Sequence, residues 1–229
     1  PKITAEQRTG CYWHCMGSAL DAPNVTRQLE LYKEAGMGGV HLIPIYGAKG
    51  YEDRYIDYLS PEWMAMLEHI VSEAERLGLW VDMTTGTGWN FGGPGITGDL
   101  ACAAVQLRTV DVTEKTSSPI KLPIDWAEIQ ALVAVDEHGQ SIELMDYIVP
   151  GGRLQWQPPE GEWRLYIVSQ RPTNKEVERA APGGVGVMLN PYHGPALQYY
   201  LERFDEAFDR YDGPMPRAMY HDSYEYNND

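Results

Sequence analysis

Cysteine is scarce in this sequence, with three residues in 229, Cys11, Cys15 and Cys102. An odd, low count argues against a disulfide framework. The spacing Cys11-Tyr12-Trp13-His14-Cys15 is not Cys-x-x-Cys, and no second ligand pair follows it. The thiols therefore read as buried residues in or near a strand rather than a zinc site. Positive charge is also short: 18 Lys and Arg stand against 33 Asp and Glu, a net charge of −15. Such a surface repels phosphate backbones, so nucleic-acid binding is not expected. The acidic residues are spread through the chain and read as solvated surface. No run of about 18 apolar residues exists, so no transmembrane helix is expected. The start, Pro1-Lys2-Ile3-Thr4, has neither the charged and apolar regions of a signal peptide nor an initiator Met, and reads as trimmed. No Gly-Lys-Ser/Thr occurs, and Gly86-Thr87-Gly88 opens no helix, which argues against phosphate and dinucleotide sites.

Apolar residues make up 43% and charged residues 22%, ordinary values for a globular protein, and the length allows one large domain or two modest ones. Phenylalanine is rare at 3, yet there are 15 Tyr, 7 Trp and 23 Gly. Tyr and Trp combine a flat apolar face with a polar edge. Sugar rings offer the matching surface, flat C–H faces with hydroxyl edges, so this bias suits a carbohydrate-binding cleft.

Residues 10–17 predict a strand. A helix follows, with Asn24 as N-cap, an apolar stripe of Val25, Leu29, Tyr32 and Ala35, and Gly36 just past its end. Val40–Tyr46 reads as a strand buried on both faces, and residues 47–59 as a loop. The second helix is the clearest element. Ser60 is its N-cap, Pro61 opens it, Trp63, Met64, Leu67, Ile70, Val71, Ala74 and Leu77 form its buried face, and Gly78 stops it. Leu79–Met83 is a third strand. This β-α-β-α-β order, with glycine between helix and strand, is the pattern of a parallel α/β fold. Residues 84–99 are too glycine-rich for a regular element. They follow a strand's C-terminal end, the side on which parallel α/β proteins bind ligands.

From about residue 104 to 172 the hydrophobic period becomes two. Val105, Leu107, Val110 and Val112 alternate with polar residues. Ile129–Val135 runs into the turn Asp136-Glu137-His138-Gly139, and Ile142–Tyr147 follows. A hairpin is expected in which Leu154-Gln155-Trp156 meets Trp163–Ile167 across residues 158–161. After Pro172, Val185–Leu189 reads as a short extended piece. A helix is expected over 195–211 with the stripe Leu197, Leu201, Phe204, Ala207, Phe208 and Tyr211, and Arg217–Tyr220 as a fourth strand. The expected fold class is α/β, a partial (β/α)8 TIM-like barrel of three to four βα units with an inserted antiparallel β-domain. Residues 1–103 form the first half of the barrel, 104–175 the insert, and 176–229 the resumed barrel, truncated after strand four. So few units cannot close an eight-stranded barrel, so a fragment of a longer protein is expected.

Polar residues at the ends of parallel barrel strands converge on one rim. The candidates are Trp13 and His14 from strand one, Tyr46 from strand two, Asp82, Trp89 and Asn90 from strand three, and His221, Asp222 and Glu225 from strand four. Glycosidic bond cleavage needs one protonated carboxyl to serve the leaving oxygen and a second carboxylate. Keeping that proton near neutral pH takes burial or a like-charged neighbour. Tyr224 and Tyr226 offer apolar walls for Glu225 and Asp222 a neighbouring charge, although by position alone Glu225 reads first as an exposed loop glutamate. His14 and His221 suit hydrogen bonding to sugar hydroxyls, general-base work or metal ligation. His41 sits mid-strand and reads as structural, and Asp205, Glu206 and Asp209 as a solvated helix face.

Several stretches carry a resemblance to a known family. They are Asn24-Val25-Thr26 with Glu34 through Val40, Leu59-Ser60-Pro61-Glu62-Trp63 with Ala74 through Gly78, Gly88-Trp89-Asn90-Phe91-Gly92-Gly93-Pro94 with Ile96-Thr97, Ala181-Pro182-Gly183-Gly184, and Arg217 through Glu225. In that order and spacing the chain resembles glycoside hydrolase family 106, the α-L-rhamnosidases, over nearly its whole length. The resemblance implies an inverting hydrolase acting on terminal α-L-rhamnosyl residues, with calcium at the active site and two glutamates as general acid and general base. Glu225 matches the acid's motif. The base would fall beyond Asp229, and the calcium ligands are not placed. Strand one reads Tyr12-Trp13-His14-Cys15 where a more tryptophan-rich run is expected, and Gly95 follows Pro94 where a bulkier residue is common. Both positions bear on the sugar pocket, so the resemblance speaks more firmly for reaction class than for sugar. An inverting pair stands roughly 6.5–9.5 Å apart with a water between, so a chain holding one member is expected to be inactive alone. Two alternatives remain open, a retaining glycosidase for another sugar and a non-catalytic carbohydrate-binding protein. The implied partner is a carbohydrate substrate, and a polysaccharide-degrading role implies a periplasmic or secreted location.

Overall fold

The computed structural model describes residues 3–124 and 128–221 together with Ser223 and Glu225. The chain runs through β1 (Gly10–Met16), α1 (Ala22–Glu34), β2 (Gly39–Ile45), α2 (Pro61–Leu77), β3 (Trp80–Thr84) and β4 (Gly92–Gly93). Next come β5 (Ala103–Thr113), β6 (Ile120–Lys121), β7 (Ile129–Asp136), β8 (Ser141–Glu143), β9 (Ile148–Val149), β10 (Arg153–Leu154) and β11 (Glu162–Pro172). It closes with β12 (Val187–Met188), α3 (Gly194–Phe208) and β13 (Ala218–Tyr220). It divides into two compact units, one from the residues up to Cys102 and from Asn174 onward, the other from Ala103–Thr173.

The first unit is built on a parallel sheet in the order β1-β2-β3-β13. Its apolar faces explain the order. Leu29 from α1, Trp63, Leu67 and Ile70 from α2, and Leu42 and Met83 from the strands are almost wholly buried in one cluster. Each such side chain contributes about 1.5–3 kcal/mol by leaving water. In β2 only His41 escapes full burial. α2 starts and stops as its sequence indicates. Ser60 accepts the Trp63 N–H at 3.2 Å, and Gly78 ends the helix in the left-handed region at φ +69°. α1 starts earlier than expected. Its N-cap is Asp21, whose carboxylate accepts the Asn24 N–H at 3.0 Å, so Asn24 belongs to the first turn. The Asn24 side-chain amide also donates to this carboxylate at 2.8 Å, and that bond, with the backbone one, holds the Asp21 carboxyl below its usual range. α3 is also corrected. Ala196, Tyr200 and Phe204 turn inward, whereas Leu197 and Leu201 are 48% and 40% exposed. The Tyr200 hydroxyl donates to the Thr85 carbonyl at 2.7 Å, which fixes that rotation.

The glycine-rich stretch after β3 is stitched down rather than free. β4 pairs antiparallel with β12, and single bridges join Trp89 to Glu178 and Ala101 to Leu189. The four parallel strands with their helices are what is observed here, and these strands alone do not form a closed barrel. No helix among the described residues is long and apolar enough to cross a membrane.

In the second unit β5-β11-β7-β8 form an antiparallel sheet. β11 pairs with β5 along its whole length, from Pro172↔Ala103 to Glu162↔Thr113. Trp163, Leu165 and Ile167 point into a core with Leu132, Leu144 and Leu154, while Arg164 and Tyr166 face water. The expected hairpin between residues 154–156 and 163–167 is overturned. β11 is flanked on both edges by β5 and β7, so Leu154 instead joins β6 and β9 in a small three-stranded sheet. Trp156 still meets Trp163 edge-on, with ring centres 6.0 Å apart. The stretch expected to be extended through Tyr147 keeps only β8, followed by a 3-10 turn at Met145–Tyr147.

Candidate active-site rim

Strand alternation sends neighbouring residues to opposite faces of the parallel sheet. Trp13 faces the helices, where its ring meets Tyr32 edge-on at 5.9 Å. That placement removes Trp13 from the predicted rim. Tyr12, His14, His41, Asp82 and Tyr220 share the other face. Tyr12 lies 5.4 Å from the His41 ring, and its hydroxyl is 3.0 Å from that of Tyr220. His14 is exposed beside Tyr12, with ring centres 6.1 Å apart. Asp82 is 3% exposed and sits in mid-strand. Arg217 grips it through Nε and Nη2 at 2.9 and 2.7 Å. A buried carboxylate requires such a partner. Its oxygens are thereby committed, and Asp82 is a structural anion of the sheet rather than a rim group. The pair in turn raises the Arg217 pKa. His41 Nδ1 stands 3.4 Å from the same carboxylate, close enough for an ion pair when protonated but not aligned as a hydrogen bond.

The rim forms just past the strand ends. Tyr46 follows β2, and its N–H donates to the Arg179 carbonyl at 3.0 Å. Trp89 donates its N–H to the Glu178 carbonyl at 3.1 Å and its indole N–H to the Glu178 carboxylate at 3.2 Å. The Arg179 guanidinium lies 5.6 Å from the Tyr46 ring and 5.2 Å from the Trp89 ring, and donates to the Tyr46 hydroxyl at 3.2 Å. Gly88 makes this close approach possible. It sits at φ +57°, its N–H donates to the Pro44 carbonyl at 2.9 Å, and a Cβ there would run into the Glu178 carbonyl. Only glycine meets both demands at low cost.

Glu225 joins the same cluster through its backbone. Its N–H donates to Asn90 Oδ1 at 2.8 Å, and its carbonyl accepts from Lys175 Nζ at 3.4 Å. Asn90 is 3% exposed and adopts φ +65°, a conformation that Asn tolerates better than most residues. The Glu225 side chain is exposed, and Ser223 donates its hydroxyl to Oε1 at 3.0 Å. The His221 ring stacks on Phe91 with centres 3.6 Å apart, an apolar floor beside these polar groups. Lys175 Nζ also lies 3.9 Å from the Glu178 carboxylate.

Of the residues singled out from sequence, Tyr46, Trp89, Asn90 and Glu225 are linked by these contacts, and His221 flanks them on Phe91. Trp13 and Asp82 lie elsewhere. Asp222, Tyr224 and Tyr226 lie outside the described residues. Sequence reasoning missed Lys175, Glu178 and Arg179. The charged run from Lys175 to Arg179, immediately before Ala181-Pro182-Gly183-Gly184, was the available signal. A cleft of about 540 Å³ lined by Tyr58, Met64, Arg203, Glu206 and Tyr211 lies on the side of α2 and α3 and holds none of the rim residues.

Calcium takes six to eight oxygens. Among the described residues no group of three or more His, Cys, Asp or Glu gathers. At the rim the Glu178 carboxylate is engaged by Trp89 and Lys175, and Glu225 Oε1 by Ser223. The described residues therefore do not form a calcium cage by themselves.

A rim of aromatic faces, hydroxyl donors and a glutamate past the ends of parallel strands is the equipment of a glycoside-hydrolase-like protein. Residues 2–112 match the family model Glyco_hydro_106, described as alpha-L-rhamnosidase. A rhamnosidase structure from Novosphingobium sp. PP1Y superimposes with a TM-score of 0.65 at 13% identity, over 92% of this chain and 37% of that one. The chain is thus similar to this family over residues 2–112, and to that rhamnosidase in fold. A Formosa agariphila protein named "Putative beta-glucuronidase" is 23% identical over 245 aligned positions, 88% of this chain and 21% of its own length. The chain thus spans about a fifth of that curated relative.

Proposed function

We propose that this chain is part of an inverting glycosidase that removes terminal α-L-rhamnosyl residues from glycans, with Glu225 as general acid. The observation that carries the reading is the bond from the Glu225 N–H to buried Asn90. It ties the glutamate to the residue that follows Trp89, past the end of a parallel strand, the side where parallel α/β enzymes do their chemistry. The parallel units are read as the opening part of a (β/α)8 barrel. The matched relatives bear glycosidase names, which supports glycosidic hydrolysis. Those names differ in sugar, and rhamnose is preferred because the family model and the structural neighbour agree on it.

The chemistry follows from the local bonds. Ser223 donates to Oε1 of Glu225, so the transferable proton rides on Oε2. Oε2 delivers it to the glycosidic oxygen as the C1–O bond breaks. A second carboxylate, supplied from outside this chain, takes a proton from water as that water attacks C1 from the opposite face and inverts the anomeric centre. Tyr46 and Trp89 offer flat surfaces for the C–H faces of the sugar. His14 and His221 are read as hydroxyl contacts. A polysaccharide-degrading role puts the protein in the periplasm or outside the cell.

The test is hydrolysis of aryl α-L-rhamnoside by the full-length gene product, with product anomer followed by NMR. Inversion at C1 and loss of turnover in Glu225→Gln support the reading. Full activity in Glu225→Gln removes Glu225 from the mechanism, and net retention removes the inverting pair. Loss of activity with EDTA would assign calcium to ligands outside the described set. The 229-residue chain alone is expected to be inactive.

A further inference from the structure

The rim contains a cation whose arrangement the hydrolysis of a neutral rhamnoside does not use. Arg76, Arg164 and Arg217 each rest on a carboxylate, whereas Arg108 and Arg203 bond backbone carbonyls. Arg179 is held differently again. The one hydrogen bond of its guanidinium among the described residues goes to the Tyr46 hydroxyl, and among those residues no other arginine lies over two aromatic rings. The adjacent Glu178 carboxylate is turned away to the Trp89 indole and to Lys175. The Arg179 backbone sits at φ +55°, with its carbonyl fixed by Tyr46. A non-glycine residue in that region is uncommon and marks a place where the surrounding structure imposes the conformation. The result is an exposed guanidinium within 5.6 Å of two aromatic ring centres, with most of its fork of donors uncommitted.

The geometry points to Arg179 as a specificity residue that holds an oxyanion on the glycan, the carboxylate of a uronic acid or a sulfate, on the sugar next to the rhamnosyl unit. The planar fork matches a carboxylate in a two-point bond, and bracing by Tyr46 and Trp89 lowers the ordering cost of forming it. Tyr46 and Trp89 then serve twice, as faces for the sugar ring and as walls that aim the cation. This inference rests on the glycosidase reading for the identity of the ligand, but its own observable is binding.

The experiment uses the full-length gene product with Glu225→Gln to halt turnover. Calorimetry compares α-L-rhamnosyl-(1→4)-D-glucuronate, the corresponding D-glucose disaccharide, and its 6-sulfate. The charged ligands should bind about ten- to hundredfold tighter than the neutral one, the range set by a charge-assisted hydrogen bond. Arg179→Asn, a residue that accepts the left-handed backbone, should bring the ratio close to one, and Arg179→Lys should leave an intermediate ratio. Preference for the carboxylate alone would identify a uronic acid, and equal preference for both charged ligands a general oxyanion site. Either supports the assignment. A ratio near one in the protein with Arg179 intact, or the same ratio in Arg179→Asn, overturns it. Should Arg179→Asn fold poorly, the unmodified protein still decides, because a charge-based preference must shrink with added salt and a flat ratio excludes it. Failure of the glycosidase reading shows separately, as no turnover of any of the three disaccharides when Glu225 is intact.

Discussion

β2 in the first unit buries six of its seven residues, whereas β11 in the second buries every other residue along Trp163–Ser169. The difference is one of covering. A parallel strand flanked by helices on one face and by side chains on the other needs apolar residues throughout, while an antiparallel strand with one wet face needs them at every second position. The two sheets therefore spend their polar residues differently. In the second unit they line a solvated face, and the Asp111–Arg164 pair there is exposed. In the first unit His41 and Asp82 stay within the sheet, beside each other and with Asp82 held by Arg217, while Tyr46, Trp89, Asn90, Arg179 and Glu225 gather past the strand ends.

Four substitutions break or sharpen that contrast. The largest effect is expected at the rim. Glu225→Gln should lower kcat for an aryl rhamnoside by about 10²- to 10⁴-fold, the usual contribution of a positioned acid, in steady-state assays of the full-length gene product. Next, Leu165→Ala in the second unit should cost about 2–5 kcal/mol as a core cavity, read from denaturant unfolding. If that unit serves only as a scaffold, kcat/KM per folded molecule stays at its parental value, and a large drop would give the antiparallel sheet a part in the chemistry. Third, Gly88→Ala forces a Cβ toward the Glu178 carbonyl and imposes a left-handed backbone on alanine. A cost of about 1–3 kcal/mol is expected, together with a higher KM as the Trp89–Glu178 bridge loosens. Parental stability and KM would mean that the bridge is not what holds the rim. The smallest effect belongs to Asp111, whose carboxyl Arg164 holds below its usual range. A carboxyl lowered on folding contributes stability above its unfolded pKa and loses it as pH falls through the folded value. Asp111→Asn should therefore flatten the acid side of the stability profile slightly, since an exposed pair contributes little, and melting temperatures across the acid range would read it.

How much of this was legible beforehand depended on how local the cause was. α2 was readable because Ser60, Pro61 and Gly78 each act within a few residues of themselves. The start of α1 was missed because Asp21 and Asn24 are both good caps, and only the backbone decides between them. The partner of Leu154 was missed because strand pairing is not local, and β11 had two better-matched neighbours. Asn90 and Glu225 were recognisable as strand-end residues, but nothing in the spacing shows that one holds the backbone of the other. Arg179 escaped for the same reason, since its partners Tyr46 and Trp89 lie far off in sequence and its left-handed backbone leaves no mark in composition.

The full-length pairing of β5 with β11 sets Ala103 directly opposite Pro172. The chain thus leaves for the second unit and returns from it at neighbouring points, so that once its ladder has zipped, the excursion counts as a short loop. Loop-closure entropy grows with the number of flexible residues spanned. During synthesis the second unit emerges after Asn90 and before Glu225. Its early folding would reel in the separation between those two residues before the last strand is made, leaving the final closure of the rim a brief search.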